Sequence, residues 1–184
     1  MLFRSFATKE AVLPFVRFQG CDIVLSPEMK STGEVMGIDI DPGMAYLKSQ
    51  LAAGNPLPLS GNVLLSVSDH DKPAAVALAR DLEELGFVIY ATCGTASVLW
   101  DNGLKPRALF SISKGRPNVL DLMLDEKIDW IINTPSGQRE QQDGVLMRAD
   151  ATVRGVPITT TMNAALAAVS GLQALRRLNH FDVC

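Results

Sequence analysis

The run Phe87-Val88-Ile89-Tyr90-Ala91-Thr92-Cys93-Gly94-Thr95-Ala96 decides the fold class. Its first half is short, apolar and rich in β-branched and aromatic residues, as a buried strand requires. Its second half sets a glycine between two threonines, which predicts a polar turn leading into a helix over Ala96 to Asn102. In an open α/β sheet ligands bind beyond the carboxyl ends of strands, where free N–H groups and the helix dipole attract anions. The stretch therefore predicts a phosphate or carboxylate site.

The same strand-turn-helix unit recurs on both sides. Upstream, Val63 to Val67 predicts a strand, Ser68-Asp69-His70-Asp71 a turn, and Lys72 to Leu85 a helix ended by Gly86. In that helix Ala75, Leu78, Ala79, Leu82 and Leu85 share one face, while Arg80, Asp81, Glu83 and Glu84 point elsewhere. Downstream, strands are expected at Ala108 to Ile112, Asp129 to Asn133 and Val156 to Thr159. Helices are expected at Val119 to Asp125, Val145 to Arg154 and Asn163 to Leu175. Strands that alternate with helices imply an α/β fold: a five-stranded parallel, Rossmann-like sheet with helices on both faces, placed there by right-handed crossovers. Polar residues then gather at three strand ends on one rim, at Ser68 to Lys72, Thr92 to Thr95 and Asn133 to Gly137.

Residues 1–54 follow another pattern. Val12, Leu13, Phe15, Val16 and Phe18 suit a strand over Ala11 to Phe18, with Pro14 pushing it to an edge, and Ser26 to Gly37 has the composition of a loop. Asp41 is a good N-cap before Pro42, and Met44, Leu47, Lys48 and Leu51 give a short helix ended by Gly54. About 50 residues with one helix cannot close a core, so this segment is expected to be the tail of a larger unit. The proline-rich run Asn55 to Gly61 is the expected linker to a second domain over 62–184.

Composition narrows the function. Of 184 residues 47% are hydrophobic, which is ample for a core. Lys and Arg number 17 against 20 Asp and Glu, and no basic run offers a footprint for nucleic acid or an anionic membrane. Cys21, Cys93 and Cys184 lack any CxxC spacing and His70 and His180 stand alone, so neither a disulfide framework nor a metal site is expected. No apolar run approaches the roughly 18–20 residues of a membrane span, and the N-terminus lacks the layout of a signal peptide. A reduced cytoplasmic setting is the expectation.

On the rim, Lys72 is a cation in a first helical turn, a placement that opposes the dipole by roughly 0.3–1 kcal/mol and points to a facing anion. It could equally extend into water. Thr92 and Thr95 could donate hydroxyls to phosphate or cap the helix; Asn133, Thr134 and Ser136 could meet a base or sugar or satisfy their own loop. Cys93 has no catalytic partner, and Asp121, Asp125 and Glu126 are expected on a solvated helix face.

These motifs also carry a resemblance. Ser26-Pro27-Glu28-Met29-Lys30-Ser31-Thr32-Gly33-Glu34-Val35-Met36-Gly37 resembles the end of the second ATP-grasp unit of the carbamoyl-phosphate synthase large subunit. From Gly61 onward, Leu65-Ser66-Val67, Gly94-Thr95-Ala96, Gly115-Arg116-Pro117 and Ile131-Ile132-Asn133-Thr134 are similar to that subunit's C-terminal allosteric domain, a methylglyoxal-synthase-like fold. The resemblance implies that the chain is the last part of a longer polypeptide, residues 1–54 being an ATP-grasp remnant, and that it is regulatory, with no catalytic residue of its own. The family makes carbamoyl phosphate for arginine and pyrimidine synthesis, using ATP with Mg or Mn and K, a glutaminase small subunit and self-association. Its allosteric domain binds UMP or IMP, with ornithine at the interface with the ATP-grasp unit. Carried over by position, Lys72, Thr92 and Thr95 would hold the phosphate, Asn133 and Thr134 the rest of the nucleotide, and Glu10 and Thr160 ornithine. No cofactor is implied for this segment. The form Leu25 to Lys30 resembles cyanobacterial and plastid members, so the setting would be cytoplasmic, or plastidial in a photosynthetic eukaryote.

The chain departs from the family pattern at informative places. Ser111 stands where a second phosphate lysine is usual, Pro135 replaces a threonine, and Ile158 replaces a tyrosine of the ornithine site. Since a charged hydrogen bond is worth roughly 1.5–3 kcal/mol, weaker phosphate binding is expected unless Lys114 folds inward. Two other functions remain to be weighed: a packing and oligomerisation domain with a degraded effector site, and a methylglyoxal-synthase-like lyase. The lyase needs acid and base groups at the rim, but Pro117, Ser136 and Gln142 stand in their places.

Overall fold

The computed structural model describes residues 4–12, 33–134 and 138–181, with side chains for all of these except 138–142 and 179–181. Strands β3 (Gly61–Ser66), β4 (Phe87–Thr92), β5 (Arg107–Leu109), β6 (Trp130–Asn133) and β7 (Ile158–Thr159) form the expected parallel sheet, in the order β5-β4-β3-β6-β7. Val63, Leu64 and Leu65 at its centre are all 0% exposed, because both faces are covered. Val63 and Leu65 pack toward α2 (Lys72–Glu84), α3 (Cys93–Asp101) and α6 (Met162–Phe181). Leu64, on the other face, packs toward α4 (Val119–Leu124) and α5 (Gln138–Arg154). The helix face expected from Ala75, Leu78, Ala79 and Leu82 is fully buried.

The strand order reverses at β3. The chain runs outward from β3 through β4 to β5, then crosses back to lay β6 on the other side of β3. The carboxyl ends of β3 and β6 therefore flank a switch point, where neighbouring connections leave in opposite directions and open a crevice.

Several boundaries differ from expectation. α3 begins at Cys93 rather than Ala96, because Thr92 is at once the last strand residue and the N-cap, so Cys93, Gly94 and Thr95 form the first helical turn rather than a loop. β5 is three residues long and β7 two, shorter than their apolar runs. α5 begins at Gln138, seven residues before the apolar pattern starts, and α6 continues to Phe181 beyond the alanine-rich run.

In the N-terminal segment β1 (Phe6–Val12) and β2 (Gly33–Asp39) pair antiparallel and α1 (Pro42–Ala52) packs on them. The expected strand thus starts earlier, at Phe6, and its part beyond Val12 lies outside the described residues, as do residues 26–32 of the expected loop. Gly33 to Gly37 is a strand, not a loop. Gly37 is glycine because α1 presses on it: a methyl group there would lie 2.0 Å from the Ala45 carbonyl oxygen. Asp41 caps α1 as expected, accepting from the Met44 N–H at 2.9 Å. The buried face of that helix is Gly43, Ala45 and Ser49, and Leu51 is 66% exposed, because small residues bring the helix close to α6. A methyl group on Gly43 would fall 2.4 Å from the Gly171 nitrogen. Among the described residues no helix is long and apolar enough to cross a membrane.

Candidate functional site

The switch point is held by hydrogen bonds from β6 to β3. Ser66 O accepts from Thr134 N at 3.2 Å and from Asn133 Nδ2 at 3.0 Å. Asn133 Oδ1 in turn accepts from Arg148 Nη1 at 2.6 Å, and the Arg148 side chain is buried. Gly144 makes room for this guanidinium, since a methyl group there would come within 2.8 Å of Nη1. The Asn133 carboxamide, itself buried, thus spends one oxygen lone pair and one N–H inside the protein and keeps at most one N–H and one lone pair for a ligand. Arg148 carries no motif. Its only signal in the sequence is a lone cation between Met147 and Ala151, both of which are buried.

Thr134 ties the next loop to the same point. Its hydroxyl accepts from Ser68 N at 2.9 Å, while Ser68 Oγ donates to Asp71 Oδ2 at 2.7 Å. Hydrogen bonds from the Thr134 and then the Ser68 hydroxyls hold the Asp71 carboxyl below the usual aspartate range, since both favour the charged form. Asp69–Asp71 is a single 3₁₀ turn, and it delivers the chain directly into Lys72, the first residue of α2.

On the β4 side, Thr95 is only 2% exposed and its hydroxyl accepts from Val67 N at 3.3 Å, joining α3 to the end of β3. Thr92 Oγ1 lies 3.4 Å from Thr95 Oγ1 and makes no capping bond. Lys72 reaches across the rim to this turn: a methyl group on Gly94 would lie 3.6 Å from its ammonium nitrogen. The fold therefore brings Lys72, Thr92 and Thr95 together around the N-terminus of α3. It also supplies the lysine with an anion of its own, because Nζ pairs with Asp69 Oδ1 at 2.5 Å.

The remaining residues are placed elsewhere. Lys114 follows a turn closed by its N–H to Ser111 O at 2.9 Å, and it lines a shallow depression with Arg116 and Asn118. No contact among the described residues carries Lys114 to Lys72. Asp121, expected on a solvated face, instead closes a capping box with Asn118 and pairs with Arg116 at 3.5 Å, because α4 needs an N-cap. Cys93 Sγ donates to Leu109 O at 3.3 Å. Glu10 on β1 accepts from Gln50 at 2.9 Å and faces α1, where burial, and secondarily this carboxylate, push Tyr46 up to about 12. Thr160 lies just past β7 and no hydrogen bond among the described residues joins it to Glu10. Pro135, Ser136 and Gly137, and the side chain of Gln142, lie outside the described set.

Residues 74–160 match the MGS-like domain model. Over 95% of its length the chain is 46% identical to "Carbamoyl phosphate synthase large chain, C-terminal section" of Aquifex aeolicus, of which it spans 33%. It is 48% identical over 92% of its length to the carbamoyl phosphate synthase large chain of Nostoc sp., of which it spans 15%. To the corresponding large chain of Archaeoglobus fulgidus it is 50% identical over 92%, spanning 16%. The chain thus covers a third or less of these curated relatives. It carries an MGS-like domain and is homologous, over nearly its whole length, to the C-terminal part of carbamoyl phosphate synthase large chains.

Proposed function

We propose that this chain is the effector-binding, regulatory part of a carbamoyl phosphate synthase large chain, taking a nucleoside monophosphate such as UMP or IMP at the sheet rim. The observation that carries this reading is the convergence of the Lys72 ammonium on the first turn of α3 at the switch point of the sheet. A phosphate between them meets the Lys72 ammonium, which it shares with or takes from Asp69, the N–H groups of the α3 N-terminus and the Thr92 hydroxyl. Thr95, almost fully buried, supports that hydroxyl from behind. Asn133 and Thr134 set the wall against which the nucleoside lies, Asn133 offering its remaining N–H. An effector shifts activity only if it binds two states of the whole enzyme unequally, so the signal must pass from this rim to active sites elsewhere in the assembly.

The wider parts of the reading follow the family resemblance carried by the sequence motifs. The whole enzyme acts in arginine and pyrimidine synthesis with ATP, Mg or Mn, K and a glutaminase subunit, and this chain contributes regulation rather than catalysis. Ornithine, if it binds, needs Glu10 released from Gln50 and does so without the tyrosine that Ile158 replaces.

Thermal unfolding with and without UMP and IMP tests the site. The nucleotide that binds stabilises the fold by about 2.7 kcal/mol at a hundredfold excess over its dissociation constant. Lys72→Ala removes the shift. Absence of any shift at millimolar nucleotide would instead favour a domain kept for packing and assembly. Incubation with dihydroxyacetone phosphate is expected to yield no methylglyoxal, and formation of product would restore the lyase.

A further inference from the structure

The Lys72–Asp69 pair is asymmetric in a way that bears on how tightly the rim holds an anion. The lysine end is fixed. Its side chain is 22% exposed, starts from the first residue of α2 and ends against Gly94 at the head of α3. The aspartate end is free to move: its side chain is 94% exposed, and among the described residues Lys72 is its one hydrogen-bonding or ionic partner. Asp71, two positions on, is the opposite case, locked by Ser68 and Thr134. An exposed ion pair of this kind contributes little to stability, so swinging Asp69 away is cheap, while its charge remains within a few ångströms of any anion at the rim.

We infer that Asp69 is a tethered competitor for the effector phosphate: its carboxylate occupies the anion position on Lys72 and must be displaced before a ligand phosphate can pair with the lysine. This rests on the proposed effector site. A phosphate monoester, close to doubly charged at neutral pH, exchanges one negative charge for about two and also reaches the N–H groups of α3. Asp69 thereby weakens the binding of any phosphate at the rim, and of a dianion more than a monoanion, because its displaced carboxylate stays close.

Isothermal titration of the full chain with UMP, with its 5′-methyl ester and with inorganic phosphate tests this, using native protein, Asp69→Asn and Lys72→Ala. Asp69→Asn is expected to tighten UMP about fivefold at low salt, and the gain is expected to shrink as sodium chloride is raised and the charge is screened. The same substitution tightens the methyl ester less than UMP, because the displaced carboxylate repels a monoanion less than a dianion. Without ligand it lowers thermal stability slightly, because a negative charge before α2 is lost. A gain in affinity beside a loss of stability is not what a purely structural aspartate would produce. Unchanged or weaker UMP binding in Asp69→Asn, with Lys72→Ala still abolishing it, overturns the inference and leaves the effector site standing. Absence of UMP and phosphate binding in native protein and Asp69→Asn alike overturns both.

Discussion

Replacing Arg148 by Met removes the guanidinium that holds the Asn133 carboxamide at 2.6 Å while keeping most of its volume. The lost bond is charge-assisted and its acceptor is buried, so a loss of roughly 2 kcal/mol is expected in urea unfolding. Nucleotide affinity should fall more steeply than inorganic phosphate affinity, since the proposed site sets Asn133 beside the nucleoside and not the phosphate. Asp71 gives a pH-dependent counterpart. Its folded pKa lies below the ordinary 3.8, so its stabilisation is complete above the unfolded value and drains away as pH falls through the folded one. Thr134→Val removes the largest cause of that depression. The variant is expected to be less stable near neutrality, with the gap from native protein closing below about pH 4 in a stability profile. At this scale Lys72 was legible because a cation is unusual in a first helical turn, and Thr92 and Thr95 because threonines around a glycine after an apolar run mark a polar turn. Two of their partners were not, since Val67 N meets Thr95 and Gly94 meets Lys72 only when the strands pair.

At the scale of elements, the α1–α6 crossing makes a sharp prediction. Gly43→Ala improves helix propensity by about 1 kcal/mol, yet its methyl group meets the Gly171 backbone at 2.4 Å. Backbone cannot rotate out of the way as a side chain can, and overpacking costs about 1–3 kcal/mol, so the clash wins. Faster amide exchange is expected in β1, β2 and α1, with little change in β3 and β6, because the separated segment loses its seat on α6 first. The glycines that mattered here were misleading in the sequence: Gly33 and Gly37 have the composition of a loop, but Gly37 serves the close approach of α1. Likewise Gly94 suggested a turn and instead sits in the first turn of α3, beneath the Lys72 ammonium.

For the molecule as a whole, the limited span of the relatives that it covers carries the expectation. A polypeptide of these 184 residues is expected to show neither ATP hydrolysis nor carbamoyl phosphate formation. A coupled ATPase assay checks this, and turnover above a heat-treated control would refute it. The parallel sheet and its two helical layers were legible because periodicity survives without knowledge of partners: an apolar run in a strand or an apolar stripe on a helix must be buried whatever it meets. The sequence by itself thus determined the strand-helix alternation, the buried face of α2, the cap at Asp41 and the polar character of the rim. Only the tertiary structure decided that β6 returns beside β3, that Arg148 clamps Asn133, and that Lys72 reaches Gly94 at the head of α3. Propensity and capping act over a few neighbouring residues, whereas crossovers bring Ser66 and Asn133, 67 positions apart, into contact, and no local pattern records which strand will lie next to which.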